Sequence, residues 1–195
     1  NNKTKKEIEM KTKMILKTIF ALMTIILLII IGIVLYFFLT DIESKPPEEI
    51  QEEYNIEEKE FLGRKVFIIS PKENKSNKKI LYFHGGSYVA ETSNLHWKFL
   101  KDLVKDTGAT IILPDYPLTP KYNYKDVFTM VKPLYREIID RVESENFIMI
   151  GDSAGGGIAL ALAETMGEEN AKQPEKLILI SPWLDVRLEN PEIDE

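Results

Sequence analysis

The 195-residue chain is 44% hydrophobic and has no cysteine, which excludes disulfides, thiolate metal sites and cysteine nucleophiles. Its net charge of −6 is unevenly spread. Lys3, Lys5, Lys6, Lys11, Lys13 and Lys17 crowd the start and the remainder is acidic, which argues against nucleic acid as a partner.

Residues 18–40 contain no charge until Asp41, and residues 19–39 are nearly all Ile, Leu, Phe, Met and Val. A run of about 20 apolar residues is long enough to cross a bilayer as a helix. A cleaved signal is the weaker rival, because its apolar region is shorter and ends at small residues, whereas here Tyr36-Phe37-Phe38-Leu39 leads into Asp41 and Glu43. With lysines before the span and acids after it, the expected topology is single-pass, N-terminus cytoplasmic and the bulk outside. The expected organisation is a basic tail over 1–17, an anchor over 18–40, an acidic linker over 41–60 containing Pro46-Pro47, and one domain over 61–195.

Within that domain, Val66-Phe67-Ile68-Ile69 predicts a strand ended by Ser70-Pro71, and residues 72–79 a polar turn. Ile80-Leu81-Tyr82-Phe83 predicts a second strand, stopped by His84-Gly85-Gly86-Ser87-Tyr88. Leu95, Phe99, Leu100, Leu103 and Val104 recur at helical spacing before Gly108. Residues 109–113 read as a strand, followed by Asp115-Tyr116-Pro117-Leu118-Thr119-Pro120. Residues 125–142 read as an amphipathic helix that Pro133 would kink or break early. Phe147-Ile148-Met149-Ile150 and Leu177-Ile178-Leu179-Ile180 complete the strands. Apolar strands alternating with helices imply a mostly parallel sheet with helices on both faces, whose ligand site gathers at the strands' carboxyl ends. The loops at residues 84–86, 115–117, 151–153 and 182–183 all fall there.

Gly151-Asp152-Ser153-Ala154-Gly155 fits G-x-S-x-G between a strand and an alanine-rich helix. A serine lifted on a sharp turn needs neighbours without bulk, and the Ala154 N–H at the helix start can face a developing oxyanion. The same residues also suit a helix-capping serine or a phosphate-binding loop. His84-Gly85-Gly86 taken alone reads more readily as a tight turn after a strand than as a second source of oxyanion donors.

His84-Gly85-Gly86, Asp115-Tyr116-Pro117-Leu118-Thr119-Pro120 and Gly151-Asp152-Ser153-Ala154-Gly155-Gly156, in this order, resemble the hormone-sensitive-lipase-like branch of the α/β-hydrolases, serine esterases and lipases with an HGG oxyanion motif and a GDSAGG elbow. The resemblance covers residues 65–195. It implies an α/β-hydrolase fold, Ser153 as nucleophile, and Gly85, Gly86 and Ala154 lining the oxyanion hole, with His84, Asp115 and Asp152 in support and no cofactor or metal. Ser87 stands where the family has a third glycine, a change that keeps the backbone N–H. Asp115 and Tyr116 match a stretch that supports the oxyanion loop in the family.

A histidine base and its acid should follow the serine in the chain. Both histidines, His84 and His96, precede it, and Asp185 comes too soon after its strand to match the family's acid. His96, beside Trp97 and Phe99, reads as a packing histidine. The expectation is therefore a chain that stops short of two triad members and, as written, has little esterase activity. The expected function of the intact protein is hydrolysis of a small-molecule or lipid ester at a membrane. An inactive hydrolase-like binding protein, or a deacetylase or peptidase on the same fold, are the alternatives.

Overall fold

A computed structural model describes residues 2–39, 45–185 and 187. Two compact units divide between Glu43 and Ser44. The first is helix α1 (Asn2–Leu39), in which Lys13–Gly32 is long and apolar enough to cross a membrane, with a mean hydropathy of 2.8.

The second unit is a six-stranded sheet. Its elements are α2 (Glu48–Glu53), β1 (Tyr54–Phe61), β2 (Arg64–Pro71), β3 (Lys79–Phe83), α3 (Asn94–Thr107), β4 (Thr110–Pro114), α4 (Tyr124–Ile139), a short 3-10 turn, β5 (Phe147–Asp152), α5 (Ser153–Glu168) and β6 (Lys176–Ile180). Strand order is β1-β2-β4-β3-β5-β6. The β4-β3-β5-β6 pairs are parallel, while β1 and β2 add an antiparallel hairpin at one edge.

Alternate residues of the strands face opposite layers, as the pleat requires. Leu81, Phe83, Ile112 and Met149 pack with α4 and α5, through Val131, Leu134, Ile158 and Leu162. Ile80, Tyr82, Ile111 and Ile150 pack with α2 and α3, through Ile50, Trp97, Leu100 and Val104. A mostly parallel sheet with helices on both faces is the result.

Two expectations are corrected. The stretch expected as an acidic linker up to residue 60 holds α2 and all but the last residue of β1. Its charges lie on the exposed positions of an edge strand, and Ile50 and Tyr54 anchor it to the core, so an abundance of carboxylates concealed a half-buried element. The kink or early break at Pro133 is not found as a break: α4 runs through it, although it ends at Ile139 and not at 142. Residues 41–44 and 188–195, where part of the linker and the end of the domain were expected, lie outside the described residues.

Candidate active site

Ser153 is the first residue of α5 and the last of its turn from β5, with φ of 47°. A non-glycine residue in the left-handed region costs energy and persists only where its surroundings impose it. Small neighbours allow the turn. A Cβ on Gly151 would strike the Gly155 backbone, and one on Gly155 would strike the backbone of Phe83 and His84. Helix and strand therefore touch main chain to main chain behind Ser153. The serine is partly exposed, and a Cβ on Gly85 would lie 3.1 Å from that of Ser153, so serine and oxyanion loop are side by side. The Ala154 N–H belongs to the first turn of α5, where no intrahelical acceptor exists.

Asp152 occupies the N-cap position of α5 but its side chain does not cap the helix. Oδ1 instead accepts the Gly85 N–H at 2.9 Å and the Tyr82 hydroxyl at 2.5 Å, and Oδ2 lies 3.4 Å from His96 Nε2. Burial opposes ionisation of this carboxyl, yet the hydrogen bonds from His96, Tyr82 and the Gly85 amide outweigh it and hold its pKa below the ordinary value. Burial, then the bond to Asp152, pushes the Tyr82 hydroxyl far up, so it remains a donor.

This network corrects the place of Gly85. Its amide is committed to Asp152 and holds the loop, so it does not face a substrate oxygen. The next two amides, of Gly86 and Ser87, find no acceptor among the described residues. Gly86 has φ of 125°, and Ser87 adopts 54°, the left-handed conformation for which glycine is the usual choice. The loop is folded on itself by Val89 and Ala90 N–H groups donating to Gly86 O, and the Thr119 N–H donates to Tyr88 O at 2.8 Å.

His84 is fully buried, with its ring stacked on Tyr116 at 4.5 Å and Nδ1 2.7 Å from Gly85 O. Burial lowers its pKa to about 4, so the ring is neutral at ordinary pH and Nδ1 carries the donated proton. The Tyr116 hydroxyl donates to His84 O at 2.7 Å. Asp115 receives Arg64 Nη2 at 3.1 Å on Oδ2, and Arg64 Nε donates to Asp115 O at 2.8 Å. Arg64 thus ties the loop after β4 to the start of β2.

His96 is not simply a packing histidine. It stands at the third position of α3, where Nδ1 accepts the Ser93 N–H at 2.9 Å to complete a capping box, while its other nitrogen turns to Asp152. The signal was legible as Ser93-Asn94-Leu95-His96, a capping box with histidine in place of the usual Glu or Gln. Tyr82 and Arg64 carried no comparable signal: each lies in a strand pattern, and only the sheet order brings them to these loops. On the far side, the Trp183 N–H donates to Ser153 O at 2.8 Å and the Trp183 ring packs 5.7 Å from that of Tyr88. Asp185 does not turn to Ser153; its Oδ1 accepts the Arg187 N–H at 2.9 Å. Among the described residues no group of three His, Asp or Glu side chains is placed to hold a metal.

A strained serine between a parallel strand and a helix, beside a glycine loop with free amides, is the arrangement of an α/β-hydrolase fold. The family model described as alpha/beta hydrolase fold matches residues 80–195, and the chain belongs to that family, on the branch that includes hormone-sensitive-lipase homologues. An esterase of Acinetobacter venetianus is 32% identical over 110 residues, 56% of this chain and 36% of that protein. A triacylglycerol lipase of Mycobacterium tuberculosis is 33% identical over 125 residues, 64% of this chain and 28% of its own length. Among solved structures, a Staphylococcus aureus protein described as a candidate esterase superposes with a TM-score of 0.72 at 32% identity, covering 77% of this chain and 51% of its own. The hormone-sensitive-lipase homologue EstE7 from a metagenome library gives 0.64 at 27% identity, covering 70% and 47%. The chain spans about a third of the curated relatives it matches and about half of the solved structures.

Proposed function

We propose that the protein is a membrane-anchored carboxylic-ester hydrolase that works through an acyl-enzyme on Ser153. The Ser153 hydroxyl attacks the ester carbonyl as a base takes its proton, and the tetrahedral oxyanion is held by the amides of Ala154, Gly86 and Ser87. The alcohol then leaves with a proton, and water releases the acid by the same route. One observation carries this reading: a serine held at φ 47° next to a loop whose two amides have no acceptor among the described residues. His84, Asp115 and Asp152 hold the loops and touch no reacting atom. Neither histidine of the chain serves as base, because His84 is sealed and stacked and His96 faces Asp152. On this reading the base and its acid are residues other than His84, His96 and Asp185. The Lys13–Gly32 segment supports the anchor, with the hydrolase unit on the outer side by the lysine bias before it.

The same two histidine positions favour the second reading, a hydrolase-like protein that binds an ester or partner without turning it over. Labelling of the full-length protein with a fluorophosphonate probe separates the two. Labelling is expected in the native protein and absent in Ser153→Ala, with p-nitrophenyl ester turnover falling at least about 10⁴-fold. An unlabelled native protein would overturn the enzyme reading.

A further inference from the structure

The loop that carries the Gly86 and Ser87 amides begins at Gly85 and ends at Ser93, where α3 starts. One pair of side chains holds both ends. Asp152 Oδ1 takes the Gly85 N–H at 2.9 Å, and His96 Nδ1 takes the Ser93 N–H at 2.9 Å. The two side chains meet where His96 Nε2 approaches Asp152 Oδ2 at 3.4 Å. A neutral imidazole that accepts at Nδ1 carries its proton on Nε2, which here faces the carboxylate. The helix cap and the elbow therefore fix the ring's tautomer and plane together.

We infer that His96 and Asp152 form a clamp across the oxyanion loop, and that His96 is a positioning residue for the Gly86 and Ser87 amides. Between the clamped ends, Gly86, Ser87 and Tyr88 all have positive φ, at 125°, 54° and 61°. Two of these are non-glycine, so the loop stores strain that a released end would relieve. A Glu at position 96 would cap α3 as well as histidine does, but it would set a second carboxylate against Asp152. Histidine at this position accepts from one end of the loop and donates toward the residue that holds the other. The side chains are 18% and 23% exposed, so the contact is only partly screened by solvent.

The role of His96 in catalysis rests on the ester-hydrolase reading; the clamp itself does not. The test uses the full-length protein and two substitutions. His96→Asn keeps an acceptor for the Ser93 N–H but is too short to reach Asp152, whereas His96→Gln places an amide donor near the position of Nε2. Hydrogen exchange followed by mass spectrometry reads residues 84–93 and α3 separately. His96→Asn is expected to speed exchange in the loop about tenfold with α3 unchanged, and to lower kcat for p-nitrophenyl acetate about tenfold with KM within about twofold. His96→Gln is expected to bring both back to within about threefold of the native protein. Native-like loop exchange in His96→Asn, or a Gln variant no better than the Asn one, would overturn the clamp. A native protein without turnover would instead remove the ester reading, and the exchange measurement would still decide the clamp.

Discussion

The two flanks of Ser153 are built on different physics. Toward β3 the contacts are polar and directional: Asp152 gathers Gly85, Tyr82 and His96, His84 is sealed against Tyr116, and Arg64 ties down the next loop. Toward β6 they are apolar or main-chain. Trp183 leans on Tyr88 and on the helix beside Gly157, while Ile178 and Ile180 are 41% and 39% exposed and Leu184 is 58% exposed. Under the proposed ester hydrolysis, fixed dipoles suit the side where charge would develop on an acyl oxygen, because they need no reorganisation at the moment of reaction. Under the same proposal, apolar surface suits a side that would receive a hydrocarbon group. The lesson is that one flank is complete within the described residues, and its stability should respond to protons and single hydroxyls, whereas the other should be indifferent to both.

The sharpest way to break that contrast is acid. The folded state holds His84 at about 4, below its ordinary 6.5, so between those values the unfolded chain binds a proton that the folded one refuses. Stability is therefore whole above pH 6.5 and falls as pH drops from 6.5 towards about 4, by roughly 3 kcal/mol for this shift. Asp152 has its folded value lowered, so its contribution is present above its ordinary 3.8 and is lost only below that. Urea midpoints measured at about pH 7, 5.5 and 4.5 should show the fall, and His84→Gln should flatten it. An equally steep profile in His84→Gln would assign the acid sensitivity to other groups.

A smaller effect isolates one hydroxyl of the same flank. Tyr116→Phe keeps the ring that stacks on His84 and removes only the donor to the His84 carbonyl, which then lies buried without it. The expected cost is about 1–2 kcal/mol in unfolding free energy, seen as a lower thermal midpoint. A change under about 0.5 kcal/mol would show that the loop does not depend on that bond.

The polar flank was legible in the sequence where chemistry and spacing coincide. G-x-S-x-G after an apolar run fixed the turn, and the need for small residues there is explained by backbone contacts at Gly151 and Gly155. It was not legible where partners are far apart in the chain. Nothing in Gly85 itself says that its amide is occupied, since its acceptor lies 67 residues away and meets it only because β3 and β5 are neighbours. His96 was hidden by its apolar neighbours, because a helix period reports which face is buried and not what a ring nitrogen reaches. β1 was missed for a related reason: an edge strand protected by charge has the composition of a wet linker.

The smallest predicted effect tests the apolar flank. Edge strands commonly carry charge that discourages pairing, and β1 does so with Glu57, Glu58, Lys59 and Glu60. β6 has the sequence Lys176-Leu177-Ile178-Leu179-Ile180, with no charge after its first residue and two exposed isoleucines on one face. If the described contacts are all that Ile178 makes, Ile178→Lys should change the unfolding free energy of the protein by less than about 0.5 kcal/mol, as exposed positions do. A loss of several kcal/mol would instead mean that this face is packed in the intact protein. Burying a lysine there would leave a charge without water, and the flank that looks open would prove to be closed by residues beyond those described. Chemical denaturation of Ile178→Lys beside Ile178→Val tells the cases apart, since the valine change costs about 1 kcal/mol only where the side chain is packed.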